Sequence, residues 1–211
     1  MKTLFFKTLP STQTYLKELL KERNSSLPIA VVAEMQTAGI GSRDNSWSSQ
    51  EGNLFLSFAI SIDELAKDLK LESASIYFSY ILKETLEKFG SNVWLKWPND
   101  FYIDDKKIGG MITNVVNDII ICGVGLNIIN KPDGFSKLDI EIDKNKLLEE
   151  YFQNLEKKQL WKQVFSKYEL QFYRNRKYFT HVNGLRISLS EASLQDDGSL
   201  NINGEKVYSL R

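Results

Sequence analysis

The chain has 211 residues, 42% of them hydrophobic, and its 27 Lys+Arg balance 27 Asp+Glu for a formal net charge of +0. That length and apolar content suit one substantial core and exclude global disorder, and the balanced charge argues against duplex DNA as the main partner. A single cysteine and a single histidine exclude a disulfide framework and a Cys/His zinc site, and no apolar run reaches the roughly 18 residues of a membrane span.

Met1 to Phe6 is only a brief apolar touch before Lys7 and Pro10, far short of a signal-peptide core, so a cytoplasmic location is expected. Ser11 and Thr12 stand where a helix N-cap belongs, ahead of Tyr15, Leu16, Leu19 and Leu20 at helical spacing. Ile29–Ala33 is a β-prone run. Gln36 to Gln50 is rich in Gly, Ser, Thr and Asn and predicts a loop of about fifteen residues, a length that is usually functional.

Strand returns over Leu54–Ile60, and Ser73–Phe89 predicts a helix that packs Ile76, Tyr77, Tyr80, Ile81 and Leu86. Three β-prone runs follow, Val93–Trp97, Phe101–Ile103 and Ile108–Val116, each ended by a turn signal, and they predict an antiparallel meander. Ile119–Ile129 is a fourth strand, interrupted by Gly123 and Gly125. Helical spacing resumes from Asn145 and again over Trp161–Phe172. Beyond Asn183-Gly184 the period falls to two, which predicts a β appendage of roughly thirty residues, too small to be stable alone.

Three segments could carry chemistry. Lys96, inside the apolar run before Pro98, either faces water or points into a pocket at the strand end. Gly109 and Gly110 enter a strand after Lys106 and Lys107, and Gly123 and Gly125 repeat the pattern one strand later. Glycine weakens a strand unless a bulge or a close ligand needs the space. In Gln36-Thr37-Ala38-Gly39-Ile40-Gly41-Ser42-Arg43, glycines free backbone N–H groups to line an anion site and Arg43 adds positive charge. Cys122 reads as core packing, and His181 as a surface or hinge residue.

Taken together, Ser11-Thr12, the 36–47 loop, K-W-P-N-D at 96–100, K-x-G-G at 107–110 and G-x-G-x-N at 123–127 resemble the biotin–protein ligases. The resemblance implies an α/β (α+β) fold: a mixed β-sheet backed by helices, a class II synthetase-like catalytic domain over 1–180 and a small SH3-like β appendage over 181–211. It implies ATP and Mg²⁺ as cofactors, biotin as substrate and a biotin carboxyl carrier domain as partner, in a monomer or homodimer. Lys96 and Arg43 would be catalytic. Ser11, Thr12, Gln13, Gln36, Gly39, Ile40, Gly41 and Ser42 would bind biotin together with Lys96. Arg43, Trp47, Asn99, Lys107, Gly109 and Asn127 would bind ATP, with no certain protein ligand for the metal.

The loop departs from the family pattern. Ser42 stands where an arginine is usual and Arg43 is the one arginine left, which implies an adenylate held by fewer charges. No helix-turn-helix precedes the catalytic part, so DNA is not expected as a partner, and the lack of a long apolar run sets a membrane aside likewise. A lipoate–protein ligase and an idle biotin- or nucleotide-binding module are the alternatives. The polar trio Ser11, Thr12 and Gln36 suits biotin's ring better than an apolar dithiolane.

Overall fold

The computed structural model describes residues 1–22, 26–42, 45–182 and 184–208. The first half runs β1 (Lys2–Leu9), α1 (Thr12–Lys21), β2 (Ile29–Gln36), β3 (Gly39–Ile40), β4 (Ser46–Trp47) and β5 (Leu54–Ser61). Then come α2 (Ala74–Lys88), β6 (Trp94–Lys96), β7 (Asp100–Ile103), β8 (Lys106–Val116) and β9 (Ile119–Leu126). Two helices follow, α3 (Lys144–Glu156) and α4 (Trp161–Gln171). The C-terminal strands are β10 (Phe179–Val182), β11 (Leu185–Ser188), β12 (Ser193–Leu194), β13 (Leu200–Ile202) and β14 (Glu205–Val207).

Seven strands form one sheet in the order β1-β2-β5-β9-β8-β7-β6. Only β1 and β2 are parallel, joined through α1; every other neighbouring pair is antiparallel, so the sheet is mixed as expected. Side chains alternate between its faces. Ile29, Val31, Ala33, Ala59 and Ile121 point to one face and bury Leu16 of α1. Ala30, Leu56, Phe58, Ile120 and Cys122 point to the other, where they meet α2, α3 and α4 in the larger core.

Two expectations need correction. β1 is a full strand rather than a brief apolar touch; it lies at the sheet edge, leaves Phe5 exposed and fully buries only Leu9. The 36–50 segment is not loop throughout: β3 and β4 pair across it, Gly39 with Trp47 and Ile40 with Ser46. That pairing needs a glycine, since a Cβ at position 39 would lie 2.7 Å from the Trp47 carbonyl oxygen. The predicted meander and both late helices are present, with Asp143 capping α3 through the Asn145 and Lys146 N–H groups.

The C-terminal strands form a β10–β11 pair and a β12-β13-β14 sheet, and they dock on the main body. Leu189, Ala192, Leu200 and Ile202 join the larger core. The carbonyls of Asp196, Asp197 and Gly198 accept hydrogen bonds from Trp161 Nε1, Ser73 Oγ and Trp97 Nε1 at 2.8, 2.7 and 2.9 Å. Trp97, within K-W-P-N-D, is therefore tied to the C-terminal turn.

Gly109 lies at a tight approach of β8 to β9, where a Cβ would sit 2.5 Å from the Gly125 carbonyl oxygen. Backbone cannot yield as a flexible side chain does. Gly109→Ala is expected to destabilise the fold by about 1–3 kcal/mol, read from urea unfolding; an unchanged midpoint would show that the strands separate freely.

Lys83 on α2 is fully buried, with Nζ 2.7 Å from Glu87 and over the Tyr80 ring at 4.9 Å. Burial lowers its pKa below the ordinary 10.5, opposed by Glu87 and Glu84 and reinforced by Arg174. The unfolded chain therefore binds this proton more tightly. The destabilisation is fully present below the folded pKa, and stability rises as pH climbs from there towards the unfolded value. Lys83→Met should flatten that alkaline rise and raise neutral-pH stability by about 1 kcal/mol or more. Lower stability in the variant, measured by thermal unfolding across pH, would make the Lys83–Glu87 pair net favourable.

Candidate functional site

The α1 face of the sheet holds a cleft because several positions there lack side chains. Gly123 and Gly125 on β9 share that face with Ile121, and Gly110 and Ile112 are their partners on β8. Two other residues fill the space this leaves. A Cβ at Gly123 would lie 2.6 Å from Gln13 Oε1, and one at Gly125 would lie 2.4 Å from the Trp47 ring. Gln13 and Trp47 thus lie flat on bare backbone.

One end of the cleft is rich in hydroxyl and amide groups. It is lined by Ser11, Thr12, Gln13, Gln36 and Ser57, together with Trp47, Lys107 and the glycines 110, 123 and 125. Ser11 is the N-cap of α1, and its hydroxyl accepts from the Thr14 N–H at 3.3 Å. Gln36 ends β2 and accepts at Oε1 from the Thr12 N–H at 2.8 Å and from the Thr12 hydroxyl at 3.1 Å. The Thr12 hydroxyl lies 2.9 Å from Ser57 Oγ, which donates to Gln13 Oε1 at 3.0 Å; Gln13 Nε2 donates to Asn114 at 3.1 Å. Five side chains from α1, β2, β5 and β8 are thereby linked.

The other end is cationic and is lined by Lys17, Lys96, Pro98, Asn114, Phe179, Thr180 and His181. Ile40, Gly41, Ser42, Asn99, Asp100 and Ile112 border both ends, so the cleft is continuous. Lys96 closes β6 with its side chain 12% exposed, which resolves the question of its direction: it points into the cleft. Its Nζ lies 3.8 Å from Asp100 and 5.9 Å from the centre of the Tyr102 ring, and Asp100 also pairs with Lys107. Burial, then the nearby Asp100 charge, pushes the Tyr102 phenol up to about 12, so it stays neutral beside the lysine.

The expected site residues divide into three groups. Ser11, Thr12, Gln13, Gln36, Ile40, Gly41, Ser42, Trp47, Lys96, Asn99 and Lys107 all border the cleft. Gly39, Gly109 and Asn127 do not; they shape its surroundings. Gly39 admits the β3–β4 pairing, and Asn127 is buried, donating to the Ser136 carbonyl and accepting from Asn53 at 3.4 Å. Arg43 lies outside the described residues.

Ser57 and Asn114 were not singled out from sequence, and Asp100 entered only as the last residue of K-W-P-N-D, without a role. A serine within the apolar run Leu54–Ile60 is the signal that could have found the first. Cys122 is buried, and burial pushes its thiol pKa well up, so it is no nucleophile. Among the described residues no group of three or more His, Cys, Asp and Glu could hold a metal, and no helix is long and apolar enough to cross a membrane. Asp100, the one carboxylate among the lining residues, is already engaged by two lysines.

Comparison with known proteins points one way. The profile of the biotin/lipoate A/B protein ligase family matches residues 5–127, a stretch that carries most of the cleft. The chain is 32% identical over 126 residues to the bifunctional ligase/repressor BirA of Escherichia coli K12, covering 56% of this chain and 38% of that protein. It is 26% identical over 141 residues to the biotin–[acetyl-CoA-carboxylase] ligase of Mycobacterium tuberculosis, covering 61% and 53%. The chain thus spans about two fifths to one half of these curated relatives.

Among solved structures, the biotin acetyl coenzyme A carboxylase synthetase of Helicobacter pylori with bound biotinylated ATP superposes with a TM-score of 0.94 at 38% identity, over 98% of this chain and 99% of that one. The biotin protein ligase of Aquifex aeolicus superposes at 0.79 and 24% identity, over 100% and 96%, which is a likeness of fold. With the family profile matching more than half of its length, the chain belongs to the biotin/lipoate A/B protein ligase family.

Proposed function

We propose that the chain is an ATP-dependent biotin–protein ligase. Residues 1–180 would form its catalytic domain and 181–211 a small β domain. The observation that carries this reading is one continuous cleft in which a linked amide-and-hydroxyl set, Thr12, Gln36 and Ser57, shares its end with Lys107, and Asp100 joins Lys107 to Lys96 at the other end. Biotin has that polarity, with a polar ring at one end and a carboxylate at the other. The Helicobacter pylori relative, solved with bound biotinylated ATP, supports the same choice of ligands.

The reaction requires two anions to meet. A biotin carboxylate oxygen attacks the α-phosphorus of ATP, the bond to the bridging oxygen breaks, and pyrophosphate leaves with its electron pair. Lys96 and Lys107 stabilise the charge that gathers there, and the Ile40–Ser42 segment lines the same region. Asp100 holds the two ammonium groups in position without neutralising both. In the second step a neutral lysine amine of the carrier attacks the acyl carbonyl, the bond from that carbon to the phosphate oxygen breaks, and AMP leaves while the amine releases a proton to solvent. No protein nucleophile is needed, in keeping with the buried, unreactive Cys122.

Ser11, Thr12, Gln13 and Gln36 are proposed to face the ring, Trp47 and Asn99 to border the nucleotide, and Gly39, Gly109 and Asn127 to act by shaping the walls. Arg43 keeps its proposed phosphate role from its place in the sequence. Magnesium would arrive on ATP with its phosphate oxygens and waters as ligands, which fits a cleft whose one carboxylate is paired. The carrier is proposed to be the biotin carboxyl carrier domain of acetyl-CoA carboxylase, and the setting cytoplasmic, where ATP is available.

Biotin-dependent exchange of pyrophosphate into ATP is the test, since the first half-reaction needs no carrier. A dithiolane cannot match the Thr12–Gln36–Ser57 groups, so lipoate should support little exchange. Exchange with lipoate and none with biotin would reject the substrate assignment in favour of a lipoate ligase; tight binding of biotin and ATP with no exchange would point to an idle module.

Lys96→Ala is expected to lower the exchange rate by about 10²–10³-fold, the scale for one preorganised donor at developing charge. The melting temperature should hardly move, because Lys96 ends its strand and leaves the core untouched. Near-normal exchange in this variant would remove Lys96 from the mechanism.

A further inference from the structure

The polar end of the cleft contains a hydrogen-counting problem. The Thr12 N–H has one hydrogen and no choice of direction, so the Gln36 oxygen must face Thr12 and the Gln36 Nε2 must face away, beside Gly39. Three oxygen–oxygen contacts then run in line. They join Gln36 Oε1 to Thr12 Oγ1 at 3.1 Å, Thr12 Oγ1 to Ser57 Oγ at 2.9 Å, and Ser57 Oγ to Gln13 Oε1 at 3.0 Å. Each needs one hydrogen, and two hydroxyls supply only two.

The fourth contact, between the Gln13 and Asn114 amides at 3.1 Å, supplies the solution. An amide's oxygen and nitrogen ends are exchanged by a half turn, and the surrounding network selects between them. Turning both amides lets Asn114 Nδ2 donate to Gln13 Oε1, Gln13 Nε2 to Ser57, Ser57 to Thr12, and Thr12 to Gln36. Every contact then carries one hydrogen. The chain starts on β8 and ends on β2, and four of its members, Thr12, Gln13, Ser57 and Asn114, lie in or beside the buried floor.

We propose that Asn114 is a positioning residue for acid recognition, its amide N–H setting the direction of a relay through Gln13, Ser57 and Thr12 to Gln36. The hydroxyl hydrogens of Thr12 and Ser57 are consumed inside the relay. A ligand therefore meets oxygen lone pairs at those two residues and an N–H donor at Gln36. A cyclic urea, with a carbonyl to accept and N–H groups to donate, is complementary to that pattern. The proposal rests on the reading that this end of the cleft takes the biotin ring.

Two measurements test it. In the ligand-free protein labelled at glutamine amides, the Gln13 side-chain N–H protons should give nuclear Overhauser contacts to the Ser57 β-protons; contacts to the Asn114 β-protons instead would overturn the relay. In pyrophosphate exchange, Asn114→Asp keeps the shape but can only accept, so it holds Gln13 in the reversed direction. Its KM for the acid should rise about tenfold, with kcat and the KM for ATP unchanged, and Asn114→Leu, which imposes no direction, should rise less. A purely structural hydrogen bond gives the opposite ranking, with Asp the milder change, and that ranking would reject the proposal. Wild-type exchange with lipoate alone would reject the biotin reading, whereas the Overhauser contacts judge the relay without any ligand.

Discussion

A carboxylate and a triphosphate repel each other, and a protein that joins them must bring both onto one surface with cations and N–H groups already in place. Here that surface is the stretch of β8 and β9 without side chains. Gly123 lets Gln13 lie against the sheet and Gly125 does the same for Trp47, so the walls of the cleft descend to backbone level. The opposite face of the same strands is packed against α2 and α3 through Ile120, Cys122 and Val124. The floor is rigid from below and bare from above.

The rest of the site hangs on that floor. β2 ends at Gln36 directly above Thr12, because α1 carries the chain from β1 back to a parallel neighbour. β6 ends at Lys96, and Asp100 one turn later draws Lys96 and Lys107 to the same side. The turn between them is held from behind: Trp97 bonds through its N–H to Asn175 and through its indole to Gly198, in the C-terminal region. A change in the small β appendage can therefore reach Lys96 through Trp97 without touching the cleft.

Much of this was legible in the sequence, for reasons particular to each element. The meander from Trp94 to Val116 announced itself because every turn carries Pro, Asn or Asp between β-prone runs, and α2 because its apolar residues recur at helical spacing. β1 was missed because an edge strand buries little, and Lys2-Thr3-Leu4-Phe5-Phe6-Lys7 shows no period-two alternation. β3 and β4 were missed because two-residue strands leave no periodic trace. At the site, motif order located Lys96 and the glycines. The linked set Thr12, Gln13, Ser57 and Asn114 was not legible, since it joins residues up to 101 positions apart whose pairing only the fold creates. Gly109 and Asn127 show the converse: residues that mark a family can serve the walls of a site and not its ligand.

The roles of the two ends of the cleft are decided by where the two halves of the ligand lie. A crystal structure of this chain with a non-hydrolysable biotinyl-adenylate analogue measures that directly. The ring should rest against Thr12 and Gln36, the phosphate within hydrogen-bonding reach of Lys96 or Lys107, and the nucleoside beside Trp47. A ring found at the Lys17–His181 end, or a phosphate out of reach of both lysines, would contradict the assignment of the cleft.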